Sequence, residues 1–168
     1  MVETILNYSA SDDFFMQEAI AEAMKAPSYG EVPVGAVIVR NGEIIARAHN
    51  LVETEKASSA HAEMVAIARA EEALGAKWLS GCTLYVTLEP CSMCAGAMVL
   101  ARIDRLCYGA DDPKNGACGS VLDVTGNASL NHSIEVIRGI RGAECGGLLS
   151  DFFRRRREEN AALKKKNQ

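Results

Sequence analysis

Apolar residues return at Met16, Ile20, Ala23 and Met24 and the run closes at Pro27, the beat of a helix with one buried face. Ser11 is placed to cap it, and Asp12 and Asp13 fall in its first turn, where the helix dipole favours acids. The expected helix spans residues 12–25. Two short apolar runs follow at 34–39 and 43–48, separated by Asn41-Gly42. Asn-Gly accepts the positive φ angles of a two-residue hairpin turn, so the runs pair antiparallel. A polar loop leads to a second helix, capped by Ser58 or Ser59 and stopped after Leu74 by Gly75. The pattern then gives a strand at 83–87, a helix at 92–102 and strands at 106–108 and 134–137. A last helix carries Leu148, Leu149, Phe152 and Phe153 into a basic tail. Strand–helix alternation after a hairpin predicts an α/β fold, a mixed five-stranded sheet with helices on its faces. In such sheets functional groups gather beyond the strand ends, where helices begin.

Size and charge narrow the picture. The 168 residues suit one domain, 1–168, with an N-terminal lead over 1–11 and a basic C-terminal helix end or tail over 154–168. No apolar run approaches the roughly 20 residues of a membrane span, so no membrane partner is expected. The first residues include Glu3 and lack a basic-then-apolar pattern, so no leader peptide is expected. Six cysteines in such a chain point to free thiols and a reducing cytoplasm. The net charge of −4 hides an asymmetry: residues 152–168 carry +5 and the rest −9. The tail reads either as a segment for a polyanion or as a solubilising helix end, since bases also favour helix C-termini.

The chemistry sits in two short stretches, His61-Ala62-Glu63 and Pro90-Cys91-Ser92-Met93-Cys94. One imidazole and two sulfurs are the three ligands of a catalytic zinc site that keeps a fourth position for water. Cys91 and Cys94 share one face of a helix start, where the dipole stabilises thiolates. Alone, a two-residue gap between cysteines after a strand also suits a redox pair. His61 alone reads as a buried, hydrogen-bonded residue, as His49 and His132 do. Cys82, Cys107, Cys118 and Cys145 are isolated and read as small core residues; one of them as a fourth ligand would make a closed structural site. Two thiolates and a neutral imidazole cancel the charge of Zn2+, so the metal acidifies water less than a three-histidine site does. Glu63 is the group to take that proton and pass it to a ring nitrogen and then to a departing amine. Its plain alternative is a first-turn acid favoured by the dipole. Hydrolytic deamination is the chemistry this set predicts.

The spacing of these stretches resembles the zinc-dependent nucleobase deaminases. The run 84–98, Leu-Tyr-Val-Thr-Leu-Glu-Pro-Cys-Ser-Met-Cys-Ala-Gly-Ala-Met, is more particular. So are Val32-Pro33-Val34-Gly35-Ala36-Val37, Gly109-Ala110-Asp111-Asp112-Pro113-Lys114 and Leu148-Leu149-Ser150-Asp151-Phe152-Phe153. Together these are similar to the bacterial tRNA-specific adenosine deaminase family, from about residue 12 to the arginine run. The resemblance implies a cytidine-deaminase-like three-layer α/β/α sandwich, a homodimer, one Zn2+ per subunit, and conversion of a wobble adenosine to inosine with release of ammonia. It implies His61, Cys91 and Cys94 as zinc ligands and Glu63 as proton shuttle. It places Asn50, Asp112, Lys114, Phe152, Phe153 and Arg154 against the anticodon stem-loop, with Arg155, Arg156 and Arg157 also on phosphates. Without the resemblance, Asn50 and 111–114 read as turns and the two phenylalanines as core. The runner-up is a deaminase of a free base or nucleoside, of guanine or cytosine type. A non-catalytic zinc-binding module is the third reading.

Overall fold

A computed structural model describes residues 8–168; Glu3 and most of the expected N-terminal lead lie outside them. Helix α1 (Ala10–Lys25) starts earlier than expected, because Ser9 and not Ser11 caps it. The Ser9 hydroxyl accepts from the Asp12 N–H at 3.2 Å, and the Asp12 carboxylate accepts from the Ser9 N–H at 3.0 Å, a reciprocal box. Asp12 is therefore more than a first-turn acid. It is buried, takes a fork of bonds from the Arg105 guanidinium at 2.6 and 2.9 Å, and accepts from the Tyr85 hydroxyl at 2.7 Å. Met16, Ile20 and Ala23 are buried as their spacing demands, whereas Met24 lies at the margin of that stripe and is exposed.

A 3-10 turn (Ala26–Tyr29) ends at Gly30, whose φ of 72° lets the chain reverse. Strands β1 (Gly35–Arg40) and β2 (Glu43–His49) form the expected hairpin, with Asn41 at φ 52° and Gly42 at φ 77°. A one-turn helix α2 (Val52–Glu55) follows, too short to show a periodicity. Helix α3 (Ala62–Leu74) is capped by His61, not by a serine. Ser58 and Ser59 sit in a turn closed by the Ala60 N–H on the Ala57 carbonyl, and the chain turns helical only where Ala62, Ala66 and Ile67 reach the sheet. Gly75 stops α3 in the left-handed conformation, as expected.

Strand β3 (Cys82–Leu88) leads to α4 (Ser92–Leu100), which ends two residues short of expectation because Arg102 adopts φ 60°. Strands β4 (Arg105–Ala110) and β5 (Glu135–Arg138) and helix α5 (Gly142–Lys166) complete the chain. The basic tail is helical almost to its end.

The sheet order is β2-β1-β3-β4-β5, with β1 antiparallel to both neighbours and β3, β4 and β5 parallel. Alternation along the strands sorts the core into two halves. Ala36, Ile38, Leu84, Val86, Leu106 and Tyr108 face α3 and α4. Val37, Val39, Tyr85 and Cys107 face α1 and the start of α5. This is the three-layer mixed sandwich expected from the sequence. Cys82, Cys107, Cys118 and Cys145 are all buried in it. Among the described residues, no helix is long and apolar enough to cross a membrane.

Candidate metal centre and active site

His61 and Cys91 are the N-caps of α3 and α4, so two positive helix ends meet at the carboxyl end of β3. Their backbones are extended and leave the side chains free to point outward, while Cys94 is already helical and buried. The His61 Nδ1 lies 3.6 Å from Cys91 Sγ and 3.5 Å from Cys94 Sγ. A tetrahedral zinc with bonds of roughly 2.0–2.1 Å to nitrogen and 2.3 Å to sulfur has a nitrogen–sulfur edge of about 3.6 Å. Both nitrogen–sulfur edges thus match those of such an ion, and the three donor atoms all lie within 4.8 Å of one another. Among the described residues, the cluster has these three members, and a tetrahedral ion held by them would keep a fourth position.

Charge at the cluster follows from contact. Hydrogen bonds from Cys94 and His61 pull the Cys91 thiol down to about 3, toward the thiolate. Cys94, beside that thiolate and buried, is pushed up. The Cys91 sulfur in turn raises His61. Glu63, in the first turn of α3, is almost wholly buried, and burial raises its carboxyl above the usual range. A carboxyl shifted in this direction holds a proton more readily than a surface glutamate.

These groups open into a cavity of about 580 Å³. Asn50, His61, Glu63, Cys91, Asp112 and Lys114 all line it, so residues from four separate stretches of chain converge there. Asn50 accepts from the Val52 N–H at 3.4 Å, and Asp112 accepts from the N–H groups of Lys114 and Asn115 at 3.0 and 3.1 Å. Both residues are turn formers and cavity walls at once. Phe152, Phe153 and Arg154 are not in this cavity. Phe152 packs inward from α5, Phe153 is exposed, and Arg154 is paired with Asp151 at 3.4 Å. Phe152, Arg155 and Arg156 instead line a second groove of about 440 Å³ against the 3-10 turn.

Two buried carboxylates that the sequence reading passed over shape the cavity walls. Glu31 is fully buried and accepts from the N–H groups of Glu53 and Thr54 and from the Thr54 hydroxyl, at 2.9, 2.8 and 2.7 Å. It pins α2, directly after Asn50. Glu89, 2 % exposed, accepts from the N–H groups of Asp112, Cys118 and Ser120, each at 3.1 Å, and from the Ser120 hydroxyl. It pins the loop that carries Asp112 and Lys114. Burial raises both carboxyls, but these hydrogen bonds outweigh it and hold them below the usual range. The available signal was an acid set against an apolar run, Glu31 before Val32-Pro33-Val34 and Glu89 after Leu88.

Comparison with known proteins gives a consistent set of likenesses. A family model of MafB19-like deaminases matches residues 10–157. The tRNA-specific adenosine deaminase of Bacillus subtilis (strain 168) is 55% identical over 154 residues, 92% of this chain and 96% of that protein. The tRNA-specific adenosine deaminase of Aquifex aeolicus is 47% identical over 145 residues, 86% of this chain and 95% of that protein. A solved chain from work on A-to-I editing by tRNA:A34 deaminases at the wobble position superposes with a TM-score of 0.78 at 45% identity, covering 81% of this chain and 99% of that one.

Proposed function

The chain belongs to the MafB19-like deaminases and, within them, to the tRNA-specific adenosine deaminases, and we propose from that premise that it converts the wobble adenosine of a transfer RNA anticodon to inosine, releasing ammonia. The observation that carries the reading is the His61, Cys91 and Cys94 cluster, of which His61 and Cys91 open with Glu63 into one cavity wide enough for a nucleoside.

His61, Cys91 and Cys94 would hold one Zn2+ per subunit, which when bound makes water nucleophilic at neutral pH. Glu63 does the proton work. It takes a proton from the attacking water and gives it to a nitrogen of the adenine ring beside the amine-bearing carbon, then takes the remaining proton of the added hydroxyl and delivers it to the amine as the carbon–nitrogen bond breaks. Adenosine and water are consumed, and inosine and ammonia leave. Burial of Glu63 favours this role, because a carboxyl with a raised affinity for protons both accepts and returns them. Asn50 offers an amide from the wall beside α2, and Asp112 and Lys114 border the opposite side of the mouth. An anticodon loop presents partly unstacked bases, so bringing one into this cavity costs less than from a duplex.

The rest of the reading follows the same premise. Phe153 presents an exposed ring to RNA, and Arg154 with its neighbours meets phosphates. Residues 1–168 act as one deaminase domain. A homodimer forms through the apolar hollow between α3 and α4, where Leu100 is 78% and Trp78 52% exposed beside Met64 and Ala97. Free thiols at a metal site suit a reducing cytoplasm.

The deciding experiment incubates zinc-loaded protein with an anticodon stem-loop RNA and, separately, with free adenosine, guanine and cytosine. Ammonia should appear only with the RNA, and sequencing should read guanosine in place of adenosine at the wobble position. Ammonia from a free base, with the RNA unchanged, would replace this reading by the base-deaminase one.

A further inference from the structure

One exposed aromatic is stacked on the residue that precedes Asn50 in the cavity wall. Tyr29 closes the 3-10 turn and is 65% exposed. Its ring lies parallel to that of His49, with centroids 5.9 Å apart and planes 10° off. His49 is the last residue of β2, directly before Asn50 in the cavity wall, and its Nδ1 contacts the Asn50 carbonyl at 3.1 Å. On the other flank, Gly30 ends the turn and buried Glu31 follows, so neither ring sits on a loose loop. Tyr29 is thus backed by an offset imidazole, and most of its surface is open.

The surroundings suit a nucleic-acid strand. Gly30, next in the chain after Tyr29, lines the groove that Phe152, Arg155 and Arg156 share with Asp151 and Glu159. Arg156 stacks over Phe152 at 5.3 Å and reaches the Gly30 carbonyl at 3.5 Å, which ties the basic helix to the turn that carries Tyr29. Among the described residues, neither Arg155 nor Arg156 has an acidic partner within 4.0 Å. The cavity wall at Asn50, the stacked rings of His49 and Tyr29, and the arginine-bearing groove at Gly30 are thus joined through chain neighbours.

We propose that the outer face of Tyr29, backed by His49, is a stacking subsite for an unpaired nucleobase next to the target adenosine, and that the strand continues into the groove beside Arg155 and Arg156. The inference rests on the anticodon-loop substrate proposed above. Unpaired bases are bound by aromatic rings with little regard to sequence, because every base offers a π face. The subsite therefore adds affinity and fixes the path of the strand, while the choice of adenosine stays with the cavity.

The test uses the zinc-loaded full chain and an anticodon stem-loop RNA with 2-aminopurine placed in turn at the two loop positions flanking the target. Tyr29→Ala should weaken binding by about 5- to 150-fold, the range for one lost base stack. It should raise KM, leave kcat at saturation unchanged, and abolish the quenching of 2-aminopurine at one flanking position. Tyr29→Phe should restore all three. Affinity within twofold of wild type in Tyr29→Ala, or a Phe variant as weak as the Ala variant, overturns the subsite while wild-type conversion of the RNA stands. A changed oligomeric state in size-exclusion chromatography assigns the ring to a protein contact and also overturns it. If the wild-type protein itself fails to deaminate the stem-loop, the substrate reading falls and the subsite falls with it.

Discussion

Replacing Glu89 by Gln keeps the shape of a buried side chain and removes one acceptor from a cradle that uses every one. One carboxylate oxygen takes the Asp112 N–H and the Ser120 hydroxyl; the other takes the N–H groups of Cys118 and Ser120. An amide must set its NH2 against one of these pairs. The less costly placement faces Ser120, whose hydroxyl can turn to accept, and orphans only the Asp112 N–H. An unsatisfied buried donor costs about 1–3 kcal/mol, here near the lower end because Asp112 is half-buried. Loss of the charge weakens the bonds that remain. The sum is about 2–3 kcal/mol, borne by the loop from 112 to 120. A domain of this size is stable by about 5–15 kcal/mol, so the protein stays folded while that wall loosens. Urea unfolding should register the loss in full. Hydrogen exchange should quicken at the Cys118 and Ser120 amides, with little change in the strand amides of β1. KM for the anticodon stem-loop should rise about tenfold while zinc content holds. Unfolding stability within about 0.5 kcal/mol of wild type together with unchanged exchange would show that the cradle is not what holds the wall.

Three further outcomes are expected. Glu63→Gln should retain zinc by metal analysis and lose about 10²- to 10⁴-fold in kcat, since the amide cannot carry a proton; a near-normal rate would remove Glu63 from the chemistry. Asp12, held well below the usual carboxylate range by the Arg105 guanidinium, contributes stability that is complete above the unfolded carboxyl's value near pH 4 and is lost as pH falls through its lower native value. Asp12→Asn should therefore cost about 3 kcal/mol at pH 7 and progressively less below pH 4, and a penalty constant from pH 2 to 7 in urea titrations would contradict the linkage. Gly35→Ala should cost about 3 kcal/mol or more in thermal unfolding, because an added Cβ would overlap the Ala19 carbonyl oxygen and the Ala23 nitrogen of α1, backbone atoms that cannot step aside.

What could be read from the chain was local chemistry. Asn41-Gly42 announces the hairpin and Gly75 the end of α3 because both signals depend on a single residue's φ. The grouping of His61, Cys91 and Cys94 is legible because ligand chemistry restricts residue types at short spacings, and the three donors do come together. The misplaced boundaries share a different cause. Ser9 and Ser11 are equally good caps by composition, and the choice falls to Ser9 because Asp12 must sit where Tyr85 and Arg105 can reach it, 73 and 93 residues away. Ser58 and Ser59 failed as caps because a turn between Ala57 and Ala60 delays the helix until the sheet supports it. Phe152 and Phe153 are adjacent apolar residues, and only the docking of α5 turns the first inward and the second outward.

Glu31 and Glu89 belong to a class that a local reading does not see, since every donor they serve lies 22 or more residues away. Their placement has a common logic. The cavity mouth is made of loops, and loops bring backbone N–H groups with no ladder to join. Buried unpaired, each such group costs as much as a lost hydrogen bond. A single carboxylate has room for about four donors and so quiets a whole loop from one position. The loops remain irregular, as a cavity fitted to a nucleoside requires, without being mobile. The sheet and the two helix starts fix the proposed metal ligands, while Glu31 and Glu89 fix the loops beside Asn50 and Asp112 that we propose meet substrate. The two jobs can therefore fail separately: a protein with a loosened wall keeps its metal and its proton carrier and loses grip on RNA. One that loses His61 or a cysteine keeps its walls and has no chemistry to perform.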